Sequence, residues 1–240
     1  MTNWPAPRWC LGALVSLALL LTPAAVAAAE SIPQDARAAL KRLERISGAP
    51  VKLRWNEETG TPALVAGELS GPSNHSPSWI AYTYFERTKR LYGLRQPRQD
   101  LVVTGFRVED GVSHIRLERL VYRTPVWGDG VELEIGPKGV LQRVEGVIHP
   151  GLERKLFYRA QHPAIGERQA AEQAAAATGE APADLGRPKL YYLADRPGTP
   201  LVYAVPYGVR ADGSAEGHVL VHALTGRAIR TVPASAGRAG

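Results

Sequence analysis

Residues 114–146 read HIRLERLVYRTPVWGDGVELEIGPKGVLQRVEG, and the period of this stretch decides the fold class. Apolar and polar side chains alternate, the pattern of strands that lay one face on a core. The stretch divides into strand, turn, strand, turn, strand, with Thr124-Pro125-Val126-Trp127-Gly128 as an island between two of the strands. Following the alternation outward gives four strands, at residues 101–108, 112–121, 126–135 and 140–148. Glu109-Asp110-Gly111, Thr124-Pro125 and Gly136-Pro137-Lys138-Gly139 supply the turns. Links this short join antiparallel neighbours, so the segment predicts a meander.

Helices flank it. Over residues 32–46, Ala36, Ala39, Leu40, Leu43 and Ile46 recur at helical spacing, and Gly48 and Pro50 end the run. Residues 51–55 and 62–69 read as strands around a polar turn, and 70–78 as a loop. Residues 79–92 place Ile80, Tyr84, Thr88, Leu91 and Tyr92 on one helical stripe, with Ser78 as the expected cap and Gly93 at the C′ position. Both helices are expected on one face of the meander. His149-Pro150-Gly151 then breaks the pattern and marks a boundary. Residues 165–178 are an alanine-rich helix closed by Gly179, and strands follow at 190–193, 200–209 and 217–224. The final stretch, 233–240, reads as a flexible tail. The fold class is therefore α+β: two small domains, 30–150 and 151–232, each an antiparallel sheet packed with one or two helices.

The chain has 240 residues and 45% apolar content, enough for a substantial core. In residues 1–29 Arg8 is the only charge, 11–21 is the apolar run LGALVSLALLL, and small residues fitting an A-x-A cleavage site follow. This predicts a signal peptide over 1–29 and a secreted or cell-envelope location, with an uncleaved anchor as the alternative. Cys10 is the only cysteine, so beyond that segment the protein is held by packing without disulfides. The formal net charge is +6, but the basic residues are scattered singly or in pairs and form no basic helix face. That argues against nucleic acid and for acidic partners, such as an acidic protein or an anionic cell wall.

Reaction chemistry finds little support. No P-loop, no G-x-G-x-x-G after a strand and no G-x-S-x-G elbow is present. The one His-x-x-x-His, His218 to His222, lacks a glutamate and alternates as a strand, which sets the imidazoles about 13 Å apart. Glu132 and Glu134 share one strand face and read as a solvated face. The expectation is no enzyme, no cofactor and no metal.

Taken together the motifs resemble the fungalysin/thermolysin propeptide domain followed by a PepSY domain. Leu91-Tyr92-Gly93-Leu94, the strand from Gly111 to Leu117, the Thr124–Gly128 island, and Gly139-Val140 with Val144-Glu145-Gly146 match the first in order. The helix at 165–177, Leu201-Val202-Tyr203-Ala204-Val205 and the closing HVLVHALTG at 218–226 resemble the second. Thr124 stands where a glycine or valine is usual, Asp129 splits the glycine pair, and His222 replaces an aspartate. Precursors of this kind carry a zinc peptidase domain after the PepSY segment, whereas this sequence stops at Gly240. What the resemblance implies is an exported, non-catalytic protein that binds a thermolysin-type zinc metalloprotease as inhibitor or folding assistant. The alternatives are a cell-envelope binding module without a protease partner, or a remnant of a precursor that lost its peptidase. Trp127, with Arg116, Arg119 and Arg123 as charged neighbours, is the expected partner-binding set. The indole either covers the helix stripe of Ile80 and Tyr84 or lies at the partner surface.

Overall fold

A computed structural model describes residues 34–48 and 50–234; the expected signal segment at 1–29 and residues 235–240 of the expected tail lie outside them. The chain is α+β. Helix α1 spans Gln34–Ser47 and α2 spans Pro77–Tyr92. The cap of α2 is Ser76 rather than the expected Ser78: its side chain accepts from the Trp79 N–H. Pro77 then occupies the first turn, where a missing N–H costs nothing and a fixed φ suits the helix. Gly93 closes α2 at φ 63, with its N–H donated to the Lys89 carbonyl.

Six strands carry these helices: β1 Lys52–Asn56, β2 Thr61–Ala66, β3 Leu101–Glu109, β4 Val112–Val121, β5 Thr124–Ile135 and β6 Leu141–Val147. They pair antiparallel in the order β1-β2-β6-β5-β4-β3. The apolar half of the alternation in β4, β5 and β6 meets the helices as expected: Leu43, Ile80, Tyr84 and Phe85 bury against Ile115, Leu117, Leu133 and Val144, whereas the edge strand β3 buries only Leu101 and leaves Phe106 and Val108 exposed. Between α2 and β3 lies the short α3, Pro97–Asp100.

The turn between β4 and β5 is not the expected Thr124-Pro125. Those residues already pair with Val121 and Leu120, and the reversal is made by Tyr122 and Arg123 alone. Both have positive φ, 50 and 68, the geometry of a two-residue turn that matches strand twist.

After β6 come a short helix α4 (Leu152–Lys155), helix α5 (Glu167–Thr178, closed by Gly179 at φ 79), and strands β7 Lys189–Tyr192, β8 Leu201–Tyr207, β9 Gly217–His222 and β10 Ala228–Pro233. These four strands pair antiparallel in sequence order. Strand β10 is an addition to the sequence reading. It is an edge strand with only Val232 buried, so its alternation has little contrast. Ala170 and Ala174 of α5 pack on Tyr203, Val205, Val219 and Val221, and Val121 and Val126 share this second cluster.

The Trp127 island is the joint between the two sets of strands. Between the Gly130–Glu118 and Pro125–Leu120 pairs, four residues of β5 stand opposite Arg119 alone. In this excursion Val126 pairs in parallel with Tyr192 of β7, and Gly128 makes the return at φ 77. A left-handed residue with a side chain would be strained there, so glycine suits the position. Trp127 does not cover Ile80 and Tyr84. Its ring meets Tyr191 and His218 edge-on, both at 5.1 Å between centroids, over Leu193, Val202 and Leu220. Among the described residues no helix is long and apolar enough to cross a membrane.

Candidate functional site

Strand β4 positions the site. Its inward residues are Ile115, Leu117, Arg119 and Val121, all buried. Arg119, expected as a charged surface neighbour of Trp127, is therefore enclosed, with 0% of its area exposed. A guanidinium taken out of water needs opposite charge and hydrogen bonds together. Glu153 of α4 accepts from Nη2 at 2.7 Å, and Asp100 of α3 lies 3.2 Å from Nη1. Asp100 is itself fixed by the backbone N–H groups of Arg95 and Gln96, both at 2.8 Å. The buried triad thus ties β4 to the segments before β3 and after β6. Arg119 Nε and Glu153 Oε2 have no hydrogen-bond partner among the described residues.

Over this triad opens a cleft of about 210 Å³, lined among others by Arg95, Gln99, Asp100, Tyr122, Arg123 and Glu153. Its rim is aromatic and cationic. Tyr158 is 60% exposed and Tyr122 38%, and the Arg95 guanidinium stands 5.5 Å from the Tyr158 ring centroid; Phe157, next to Tyr158 in the chain, is 84% exposed. The Tyr122 hydroxyl has a raised pKa, by burial first and then by the nearby Glu153 carboxylate. The backbone of this rim is unusual. Tyr122, Arg123, Phe157 and Tyr158 all have positive φ, at 50, 68, 53 and 56. Bulky residues seldom adopt that region, at a cost of about 1–2 kcal/mol each. Local hydrogen bonds hold the second pair: Phe157 N–H donates to Arg154 O and Tyr158 N–H to Glu153 O.

The expected set is thus dispersed. Arg123 sits on the cleft rim and Arg119 beneath its floor. Arg116 faces outward from the middle of β4, opposite Glu132 and Gly105. Trp127 lines a different cleft of about 340 Å³ with Tyr191 and His218. His218 is held neutral toward lower pH by burial, and its Nδ1 has no partner among the described residues. Glu132 and Glu134 belong to an outward charge ladder with Arg107, Arg143 and Glu145. His222 accepts the Leu224 N–H on its Nδ1. Among the described residues no three His, Cys, Asp or Glu side chains are grouped to hold a metal.

Tyr122, Phe157 and Tyr158 were missed at the sequence level. The alternation does assign Arg119 to the buried face, alongside Ile115, Leu117 and Val121. Nothing local reveals that residues 95, 122 and 158 meet.

No protein-family profile matches the chain. A solved structure titled Bacillus megaterium YpeB C-terminal domain is similar over 84% of this chain and 97% of that one, at 12% identity and a TM-score of 0.38. The propeptide and PepSY resemblance accordingly rests on the motifs quoted from the sequence.

Proposed function

We propose that this protein is an exported, non-catalytic binding protein whose partner is a thermolysin-type zinc metalloprotease, held inactive or helped to fold. The contact face is the rim formed by Arg95, Tyr122, Arg123 and Tyr158, with the exposed Phe157 beside Tyr158 in the chain. One observation carries the reading: four bulky residues on two separate turns are kept in a costly left-handed backbone, and two of the three aromatics among them are mostly exposed. Strained outliers of this kind gather at working sites. Tyrosine and arginine are also among the residue types that dominate protein–protein binding energy. The protease partner comes from the motif resemblance, and the absence of catalytic chemistry from the sequence reading.

The test is a titration of the purified chain against a thermolysin-type protease of the same secretome, following peptidase activity and refolding yield together. Loss of activity, restored by Tyr158→Ala, is the expected result for an inhibitor. A gain in refolding yield without inhibition is the result for a folding assistant. Neither effect would remove the protease and leave the envelope-binding or the remnant reading.

A further inference from the structure

Helices α1 and α2 lie side by side, and their contact collects cations that the sequence spreads over nearly fifty positions. A groove of about 620 Å³ between them is lined by Arg42, Arg45, Arg87, Lys89 and Arg90, with Glu86 as the one acid. Lys89 stands 3.8 Å from Glu86. Among the described residues Arg42, Arg45, Arg87 and Arg90 have no carboxylate partner.

On the α2 side Arg87 also lines a second cavity, of about 320 Å³, so this one side chain borders both. The second cavity differs in chemistry. Its wall includes Leu43, Leu69, Ile80 and Tyr84, each at most 4% exposed. Trp79 adds a 40% exposed indole stacked on His75 at 3.9 Å. The Tyr84 hydroxyl is engaged with that of Tyr92 at 3.1 Å, so its ring is what remains for a ligand. The size is that of a small-molecule pocket with an apolar lining and a few polar groups to orient a ligand.

We infer that α1, α2 and the 69–75 loop form a binding site for a single anionic amphiphile. Its apolar tail enters between Leu43, Leu69, Ile80 and Trp79, and its phosphate or carboxylate head rests on Arg87 and the neighbouring arginines. A purely apolar ligand would leave the arginines at the mouth without a counter-charge. A polyanion along the groove would leave the apolar cavity in contact with water. Only a ligand with both parts matches both halves, and the planar guanidinium fork suits phosphate and carboxylate equally. None of these residues lines the cleft at Tyr122, so this site stands apart from the protease reading.

Calorimetric titration of the purified chain with dodecyl phosphate, below its micelle concentration, tests the assignment. The expected result is saturable binding of one molecule per chain. Arg87→Gln should weaken it about ten-fold, the loss of one charged hydrogen-bonding partner. Thr83→Trp, which fills the cavity from its partly exposed wall, should abolish it. Thermal melts check that both variants fold. Dodecyl maltoside, with the same tail and a neutral head, should bind at least as weakly as dodecyl phosphate binds the Arg87 variant. Binding that survives both substitutions would place the amphiphile elsewhere and overturn the inference. So would binding of inorganic polyphosphate in place of dodecyl phosphate, which would make the groove a polyanion site. Binding only to vesicles containing phosphatidylglycerol would assign a membrane surface instead, and no binding to any probe would remove the site.

Discussion

Replacing Arg119 by leucine should cost about 3–5 kcal/mol, because it leaves the Asp100 and Glu153 carboxylates buried without their cation. Urea unfolding measures this directly, and a loss under 1 kcal/mol would mean that water reaches the triad. Arg123 predicts the opposite sign. It is exposed at φ 68, so Arg123→Gly relieves left-handed strain and should raise stability by about 1 kcal/mol. If the rim is a contact face, the same substitution weakens partner binding while the fold gains. Stability given up for function is the expected sign of a working surface.

At the scale of elements, the β4–β5 hairpin does two jobs. Its narrow turn raises Tyr122 and Arg123 to the cleft, and its wide excursion carries Val126 and Trp127 to the second set of strands. Trp127→Ala should therefore lower stability, by about 2–3 kcal/mol for a half-buried indole packed on two rings. Tyr158→Ala keeps the same backbone strain and removes an exposed ring, so its melting temperature should stay close to that of the parent chain while binding falls. A large drop in its melting temperature would count against an exposed contact role.

For the whole molecule, pH acts through a clasp between β5 and the segment after β6. The buried Asp129 carboxylate accepts the His149 backbone N–H at 2.7 Å and meets Nδ1 at 2.6 Å. Burial pulls the His149 pKa down, but the hydrogen bond and charge of Asp129 outweigh it, with Asp195 adding and Lys155 opposing, and the net shift is upward. A raised folded value makes this contribution fully present below the unfolded pKa of about 6.5 and lost as pH rises through the folded value. Stability should thus fall as pH rises above about 6.5, and His149→Gln should flatten that fall in thermal melts. His218, shifted down by burial, acts in the other direction and lowers stability as pH drops below about 6.5. A pH slope unchanged in the His149 variant would show that the clasp does not titrate in this range.

The strands β4 to β6 and helices α2 and α5 were legible because each buries one face. Period two or 3.6 then shows in the chain itself, whereas Arg119, expected beside Trp127 in the partner-binding set, lies on the inward phase of β4. Strand β10, the α2 cap and the β4–β5 turn were read wrongly or missed. An edge strand has little burial contrast, a proline shifts a cap without changing the helical stripe, and Tyr122-Arg123 carries none of the glycine or asparagine that signals such a turn. The sequence by itself determined the α+β class and the core faces, since these depend on local periodicity. Tertiary structure alone decided which distant side chains come together: Arg119 with Asp100 and Glu153, Arg95 with the Tyr158 ring, and arginines of α1 and α2 along one groove. Charge and shape complementarity between segments far apart in the chain has no period, so it leaves no pattern to read.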